Sequence, residues 1–447
     1  MSTAPSRLRK SALSIAMGLC LASLAAAPAF AQSATGAVAG RAAAGEQVTL
    51  VNTATGASRS VTVNSDGTYR IGQLPPGDYT MTAGTGAPVN VNVSLGGTTT
   101  VNLGSDGAVS NLAAVEVVGS RVVNRVDVRS TESATNISRE DIARMPVAQT
   151  LESVALLAPG VIGGNSSLAG ISFGGSSIAE NSIFVNGLNV TDFYRRQSFS
   201  SAPFAFYDEF QVKTGGYSVE FGRSTGGVIN AVTRRGSNEF KGGIQTTFEP
   251  SAWRSRADDH FQANGQADVR SSQDRSSLTK ANVWGSGPLV KDKLFLFAMY
   301  EWRDNPSRST SANGNNLSVR DSSNGFWGGK LDWQINDDHL LELLAFSDAG
   351  DTSTDVYTYN FATQTTDAAP PNQSTSSSGG KSSSISYTGH FGENFTAKAM
   401  YGLNRSSSFV RSPQDVACDW VTYNTASYGT AYNALPLRVL GCHPGSN

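Results

Sequence analysis

The sequence predicts a mainly β protein in three parts: an N-terminal transthyretin-like β-sandwich, an α/β domain with short elements, and the first strands of a transmembrane antiparallel β-barrel. Three observations predict this class. Short runs of alternating apolar and polar residues recur along the chain, which is typical of strands with one buried face. Glycine is frequent, with 46 residues in 447, which suits tight turns. Only 16% of the residues are charged, below the roughly 25% that is usual in soluble domains.

Charge and composition exclude several functions. The chain has 34 Lys and Arg against 36 Asp and Glu, so it has no excess of cations to neutralise phosphates, and nucleic acid is not expected as a partner. Three cysteines are too few for a disulfide scaffold or a structural zinc site. His260, His339, His390 and His443 are too dispersed along the chain for a metal site. We therefore expect neither a metal nor a cofactor.

Residues 1–31 have the features of a secretion signal. Basic residues precede an apolar stretch at Ala12–Ala27, and Ala29-Phe30-Ala31 has the small-x-small pattern that signal peptidase cleaves. The apolar stretch is short and rich in alanine, whereas crossing a bilayer takes about 20 apolar residues. An exported chain without another long apolar stretch is expected either in the periplasm or as an outer-membrane β-barrel.

Residues 32–105 contain the alternating runs of a small β-sandwich. Pairs such as Val48 and Leu50, Tyr69 and Ile71, or Val101 and Leu103 predict strands, and Gly- and Pro-containing turns separate them. The strings Asp66–Ile71 and Leu74–Tyr79 resemble the carboxypeptidase-regulatory-like module. That resemblance implies a transthyretin-like fold and is silent on activity.

A linker at residues 106–121 leads into a predicted α/β domain at residues 122–237. Ser138 is a candidate N-cap for one helix, and Pro159-Gly160 ends a second helix at Thr150–Leu157. Ile183–Gly187 predicts a strand followed by a turn, and Phe210–Thr214 predicts another strand. Within the linker, Ala114–Arg121 is β-prone and, judged alone, would be an edge strand.

Residues 238–447 carry the signal that decides the fold. In one segment Trp327, Gly329, Leu331, Trp333 and Ile335 alternate with Gly328, Lys330, Asp332, Gln334 and Asn336. Similar alternation begins at Phe240, Ser384 and Phe395, and less regular runs begin at Leu278, Leu294 and Leu340. The regular segments have about ten residues, the length of a tilted strand that crosses a bilayer.

The connections between these seven segments favour a membrane barrel over a soluble sandwich. Tight links alternate strictly with long polar stretches, as in outer-membrane barrels, which have short periplasmic turns and long extracellular loops. Trp302, Trp327, Trp333 and Tyr401 are expected near strand ends, as in an interfacial aromatic girdle. The tight links are Pro288–Asp292, Asn336–Asp338 and Gly392–Asn394, and the long stretches are Pro250–Ser277, Asp304–Ser323 and Asp348–Lys381.

Several strings along the chain carry a family resemblance. They are Ala158–Val161, Phe184–Gly187, Gly215–Arg223, Gly226–Thr233 and Gly287–Phe295. Together with the order of signal, regulatory-like module, β-prone box, α/β domain and barrel strands, they resemble the TonB-dependent receptors, specifically the Oar-like branch. The resemblance covers essentially the whole chain.

This resemblance implies that residues 122–237 form a plug inside the barrel and that the β-prone segment before it binds TonB. An extended segment can add as a strand to the sheet edge of a periplasmic partner, where backbone hydrogen bonds supply the affinity. The TonB-binding box is then expected at eight consecutive residues, Ala114, Val115, Glu116, Val117, Val118, Gly119, Ser120 and Arg121.

The implied function is active uptake of a ligand across the bacterial outer membrane, driven by the inner-membrane proton gradient through TonB. The expected partners are TonB with its energising complex, outer-membrane lipid and an extracellular ligand. Siderophore, vitamin, saccharide and peptide all remain open as that ligand. The alternative is a surface adhesion or structural protein that does not transport.

The seven predicted strands are fewer than the family's barrel needs, because about 22 strands would take roughly 500 residues or more. We therefore expect the sequence to be a C-terminally truncated one. Cys418 and Cys442 fall in one segment outside the cell by strand parity, where oxidising conditions would allow a disulfide. Two unpaired thiols are the alternative.

One motif suggests an enzyme. Gly170–Gly174 fits the G-x-S-x-G pattern, which indicates a hydrolase only on a strand-to-helix turn of an α/β-hydrolase sheet. Here the motif is expected in a Gly- and Ser-rich loop, and the nearest histidine in the sequence is His260. We therefore predict that the protein is not an enzyme.

Overall fold

The computed structural model describes residues 34–103, 133–144, 151–165, 168–192, 201–217, 221–222, 224–322, 324–368, 371–392 and 395–412. The predicted signal at residues 1–31 lies outside these ranges. The described residues form three units: the N-terminal sandwich (34–103), the central domain (133–236) and the C-terminal region (237–412).

The N-terminal sandwich has two sheets. Its strands are β1 (Gly36–Arg41), β2 (Gln47–Asn52), β3 (Ser58–Thr62), β4 (Thr68–Leu74), β5 (Gly77–Ala83), β6 (Val89–Val93) and β7 (Thr98–Thr100). The sheet orders are β4-β1-β7 and β3-β2-β5-β6. The alternating residues Tyr69, Ile71, Tyr79 and Met81 are all buried in the core between the sheets, so the predicted sandwich is confirmed.

Two details of the sandwich differ from the sequence prediction. β1 was not predicted, because its apolar residues are mostly small and show no alternation. The alternation predicted a strand at Val101 and Leu103, but β7 ends at Thr100. The Val101 amide nevertheless donates to the Ala39 carbonyl at 2.9 Å, so the chain continues along β1 beyond the assigned strand.

The central domain is a mixed α/β unit with short elements, as predicted. Its strands are β8 (Ser133–Ser138), β9 (Val161–Asn165), β10 (Leu168–Phe173), β11 (Ser182–Val185), β12 (Leu188–Asn189), β13 (Tyr207–Gly215) and β14 (Val228–Thr233). Its helices are Arg139–Arg144 and Leu151–Ala155, with 3-10 turns at Ile178–Glu180 and Phe204–Phe206. Among the described residues, no helix has the length and apolar character to cross a membrane.

The main sheet of this domain has the order β12-β11-β14-β13-β8. β11 and β14 pair in parallel, and β8 pairs antiparallel with β13 at the edge. Ser138 caps the first helix as predicted: its hydroxyl accepts from the Asp141 amide at 3.2 Å and donates to the Asp141 carboxylate at 2.7 Å. Asn186 and Gly187 have φ angles of 49° and 85°, which form the predicted turn after β11.

The C-terminal region contains the remaining strands. They are β15 (Lys241–Glu249), β16 (His260–Phe261), β17 (Ala267–Val269), β18 (Arg275–Ser276), β19 (Leu278–Val290), β20 (Leu294–Asp304), β21 (Ser307–Thr310), β22 (Asn316–Ser322), β23 (Phe326–Asn336), β24 (His339–Ser347), β25 (Gly350–Asn360), β26 (Thr365–Thr366), β27 (Asn372–Ser378), β28 (Gly380–Phe391), β29 (Phe395–Ser406) and β30 (Phe409–Arg411). A 3-10 turn lies at Ser251–Trp253.

Seven of these strands form one antiparallel sheet, here called the wall, in the order β15-β19-β20-β23-β24-β28-β29. They are the seven strands predicted from the sequence, and strands that follow one another along the prediction are neighbours in the sheet. β19 continues five residues beyond its predicted end, because Pro288 is accommodated at a register irregularity between Pro288 and Val290. The fold class predicted from the sequence, a mainly β chain that ends in barrel strands, is confirmed.

The two faces of the wall have opposite character. In β23, Lys330 and Asp332 are 3% and 4% exposed, whereas Trp327 and Trp333 are 47% and 46% exposed. Polar residues therefore face the central domain, and apolar residues face away from it, which suits a surface in contact with lipid. β28 repeats the pattern, with one buried polar face at Ser384, Ser386, Thr388 and His390.

Two predictions about the wall need correction. Trp302, Trp327 and Trp333 lie within three residues of strand ends, but Tyr401 lies in the middle of β29, because that strand continues to Ser406. The long polar stretches are not plain loops either. Their strands, with β30 from the end of the described chain, form a second sheet in the order β18-β21-β22-β25-β27-β30, with many Ser and Thr residues that the apolar alternation could not reveal.

Candidate functional site

The candidate site is the interface between the central domain and the inward face of the wall. Every residue of β14 is buried, and the strand delivers Arg234 and Arg235 to this interface. The same hydrophobic cluster contains residues of both units, including Phe210 from β13 and Phe297 from β20. The domain and the wall therefore share one core.

Arg235 enters a buried cluster of four charges. Its Nη2 lies 2.9 Å from Glu342 Oε1, and its Nε lies 3.5 Å from Asp332 Oδ2. From the wall itself, Lys330 Nζ lies 2.8 Å from Glu342 Oε1 and 3.4 Å from Asp332 Oδ1. Each of the two carboxylates therefore has cationic partners, and Arg235 is the member that connects the central domain to the wall.

Arg234 makes a different contact with the wall. Its guanidinium lies 3.6 Å from the centroid of the Trp284 ring on β19 and 5.1 Å from that of Phe297. Its Nη1 also donates to the Ala205 carbonyl at 3.4 Å. A desolvated guanidinium over an indole face contributes about 2 kcal/mol in favourable cases. This stacking adds a second, mainly cation–π attachment beside the ionic cluster.

Phe206 forms the apolar part of the interface. Its ring centroid lies 5.0 Å from that of Phe326, 5.6 Å from that of Phe346 and 6.1 Å from that of Phe297. Gly328 makes room for this ring, because a Cβ at that position would lie 2.5 Å from Phe206 Cε2. The inward face of the wall is thus not uniformly polar, and an aromatic patch holds the central domain.

The chain passes from the central domain to the wall in close contact with β20. A Cβ at Gly236 would lie 2.7 Å from the Leu296 amide nitrogen and 2.8 Å from the Leu296 carbonyl oxygen. Only glycine fits there without displacing the strand backbone. A separate contact joins the two units at Ser201, whose amide donates to Asp348 Oδ2 at 2.6 Å and whose carbonyl accepts from Arg303 at 3.0 Å.

The N-terminal sandwich rests on the tight-link end of the wall. Arg59 forms an ion pair with Asp338 at 2.8 Å, and the Ser58 hydroxyl donates to Asp337 at 3.1 Å. The Asn238 amide donates to the Ala54 carbonyl at 2.8 Å. A small cavity lies behind these contacts, lined among others by Arg59, Arg235 and His390.

The structure does not describe the predicted site residues. The TonB-binding box at Ala114–Arg121 and the two cysteines Cys418 and Cys442 fall outside the described residues. Lys330 and Asp332 lie on the inward face, as the alternation in the sequence predicts, whereas that alternation does not point to Arg235, Glu342 or Phe206. The aromatic run Phe204-Ala205-Phe206-Tyr207 in front of a strand was the available signal for the last of these.

Two of the three units, the N-terminal sandwich and the central domain, match known domain families. Residues 34–104 match the carboxypeptidase regulatory-like domain, and residues 127–228 match the TonB-dependent receptor plug domain. The chain carries the plug of a TonB-dependent receptor. The central domain is this plug and is called so below. The outer-membrane localisation expected from the sequence is confirmed with it.

The chain is also similar to a curated relative, the TonB-dependent transporter Oar of Myxococcus xanthus. The two are 36% identical over 256 residues, which are 54% of this chain and 23% of that protein. The chain therefore spans about a quarter of the length of this relative. The similarity agrees with the Oar-like resemblance found in the sequence.

Two solved structures are similar in part. The outer membrane transporter YddB from Escherichia coli is 16% identical, with a TM-score of 0.49 over 63% of this chain and 40% of that chain. The siderophore receptor PirA from Acinetobacter baumannii is 17% identical, with a TM-score of 0.41 over 61% and 40% of the two chains.

The hydrolase-like motif at Gly170–Gly174 lies in the plug but not where the sequence predicted. Gly170–Phe173 belong to the strand β10, which pairs antiparallel with β9, and only Gly174 follows the strand, so the predicted loop is wrong. The Ser172 hydroxyl donates to the Ser176 carbonyl at 2.7 Å. A hairpin is not the strand-to-helix turn that activates a nucleophilic serine. Within the described residues, no three His, Cys, Asp or Glu side chains are grouped to hold a metal ion.

Proposed function

We propose that the protein takes up a ligand across the outer membrane by a TonB-dependent mechanism in which the plug moves relative to the wall. The plug match supports the proposal, and so does the seat of the plug on the polar inward face of a sheet whose other face is apolar. The observation that carries it is the Arg235 cluster, which joins plug and wall through charges that can separate into water.

Ala114–Arg121 is the proposed TonB-binding box, and the boundaries proposed for the units are 32–105, 106–121, 122–237 and 238–447. Leu103 and Ser133 are the described residues on either side of the box. A pull on the box by TonB would reach the plug at β8, since that is the first described strand after it. The energy would come from the inner-membrane proton gradient.

Binding of TonB to the box can be tested in the full-length protein. Strand addition uses backbone amides, so Val117→Pro should abolish binding to the periplasmic domain of TonB in calorimetry, whereas Val117→Ala should preserve it. Equal binding by both variants would contradict the proposed box.

Transport and adhesion are separated by deleting residues 114–121 from the full-length gene. If the protein is a transporter, TonB-dependent uptake of a panel of iron chelates, vitamins and oligosaccharides should fall to the level of a strain without the gene. Attachment of cells to surfaces should stay unchanged. Uptake equal to that of the undeleted strain, with attachment also unchanged, would contradict TonB-dependent transport and favour the adhesion alternative.

A further inference from the structure

A tight turn of the N-terminal sandwich inserts against the plug. This turn, Ser94–Gly97 between β6 and β7, is here called the Leu95 turn. The Leu95 side chain is completely buried. Gly96 has a φ of 63°, a left-handed conformation that glycine adopts at no steric cost. The turn is thus shaped to present its backbone to the plug.

Both backbone polar groups of Leu95 bond to plug side chains. The Leu95 amide donates to Glu209 Oε2 at 2.9 Å. The Leu95 carbonyl accepts from Gln211 Nε2 at 2.8 Å and from Asn136 Nδ2 at 2.9 Å. Asn136 Nδ2 also lies 3.1 Å from Glu209 Oε1. One residue of the sandwich therefore bonds three residues of the plug.

These three plug residues belong to two neighbouring strands. Asn136 lies on β8, the edge strand of the plug sheet, whereas Glu209 and Gln211 lie on β13. Asn136 and Gln211 are direct partners in the ladder between the two strands. The Leu95 carbonyl therefore bridges the pair of strands that would separate first if the chain were pulled at its N-terminal side.

The fit leaves no spare room. A Cβ added at Gly96 would lie 2.5 Å from Gln211 Oε1 and 2.7 Å from Gln211 Nε2. The sandwich also binds the wall through Arg59 and Ser58. These contacts hold the sandwich, and with it the Leu95 turn, in position against the plug.

We infer that the N-terminal sandwich is a clamp on the plug: the Leu95 turn holds the edge strand β8 on β13, and β8 separates only when the sandwich undocks. This inference rests on the proposed function for its role, because force on a TonB-bound box reaches both the sandwich and β8. The inference gives the regulatory-like domain a role in gating. A pull by TonB must undock the sandwich before it can open the plug.

Hydrogen exchange of the full-length protein in detergent micelles tests the clamp. Gly96→Leu drives a side chain into Gln211, so amide exchange at Ser133–Ser138 should be at least ~10-fold faster, as expected when two or three hydrogen bonds are lost. Exchange at β11 and β14 should not change. Gly45→Leu is the matched control, because Gly45 has a φ of 78° in the same domain but open space around its Cβ position.

Asn136→Ala is the second variant, and it tests the clamp even if Gly96→Leu does not fold. It removes one donor to the Leu95 carbonyl without adding bulk, and β8 should again exchange faster than in the wild type. Unchanged exchange at β8 in the folded variants would overturn the clamp, and so would an equal acceleration over the whole plug. The measurement involves no TonB, so its outcome is independent of the test of the box.

Discussion

Asp332 and Glu342 lie directly opposite each other on β23 and β24, two carboxylates on one face of the wall. Like charges at such positions repel, so this pair needs cations between its members. Lys330 supplies one from the wall, Arg235 supplies another from the plug, and Lys398 of β29 also acts electrostatically on Glu342. The plug therefore contributes one of the cations that stabilise this pair of carboxylates.

The first prediction removes the cation that the plug supplies. Arg235→Ala takes from Asp332 and Glu342 one of the cations that balance them, and the free energy of unfolding should fall by about 2–3 kcal/mol. Urea titration followed by tryptophan fluorescence measures the change. Arg254→Ala is the control, since Arg254 pairs with Glu249 at an exposed position and should cost less than about 1 kcal/mol. Equal losses in the two variants would show that the cluster has no special role.

The second prediction concerns the aromatic contact between plug and wall. Gly328→Ala places a methyl group 2.5 Å from the Phe206 ring and should destabilise the protein by about 1–3 kcal/mol. Phe206→Leu in the same chain should recover part of that loss in the same urea titration. Gly285→Ala, at a wall position with open space around the Cβ, should have little effect. A Gly328→Ala protein as stable as wild type would mean that the ring does not lie on the strand.

The third prediction is a pH dependence at the Leu95 turn. Burial raises the pKa of Glu209 from 4.5 to about 7, and the Asp208 and Asp141 carboxylates act in the same direction. The docked state therefore binds a proton more tightly than the open state, and protection of β8 should fall as the pH rises from about 4.5 through 7. It should level off only at higher pH, where Glu209 is ionised in both states.

Protection factors for Ser133–Ser138, corrected for intrinsic exchange, measure this effect between pH 5 and pH 8. Glu209→Gln cannot ionise, so its protection factors should be flat over the same range. A wild-type profile that rises with pH would have the wrong sign for a raised carboxyl pKa.

The fourth prediction tests the core of the N-terminal sandwich. The buried Tyr69 hydroxyl donates to the Val101 carbonyl at 2.6 Å. Tyr69→Phe leaves that carbonyl unpaired and should destabilise the sandwich by about 1–2 kcal/mol, measured by the exchange of its slowest amides in β2 and β5. Tyr401→Phe changes an exposed ring and should leave these amides unaffected. No difference between the two variants would mean that water replaces the lost donor.

The wall strands were predictable where their two faces differ. In β23, Trp333 and Asp332 belong on opposite faces by parity alone, and they are found there. β1 escaped prediction because small residues such as Gly36 and Ala37 carry no contrast between faces. β27 escaped because Asn372–Ser378 is polar on both faces, and its strand pairing depends on the neighbour β25.

The interface was less predictable than the strands. The contact between Arg235 and Glu342 joins positions 107 residues apart, and an arginine at the end of a strand does not reveal its partner. Sequence parity could place Lys330 on the inward face but could not show which plug residue it meets. Such pairings depend on how two domains pack against each other. The local pattern of residues along a strand does not reveal that packing.

Gly236 packs directly against the Leu296 backbone, so the two ends of the plug differ in how tightly they are held. At that end the polypeptide is wedged against a wall strand and has no room to slide. At the other end the first described strand, β8, is the edge strand of the sheet. Unravelling of the described plug would thus begin at β8 and stop at residue 236, which acts as a hinge. The displaced chain would stay tethered to its place of refolding.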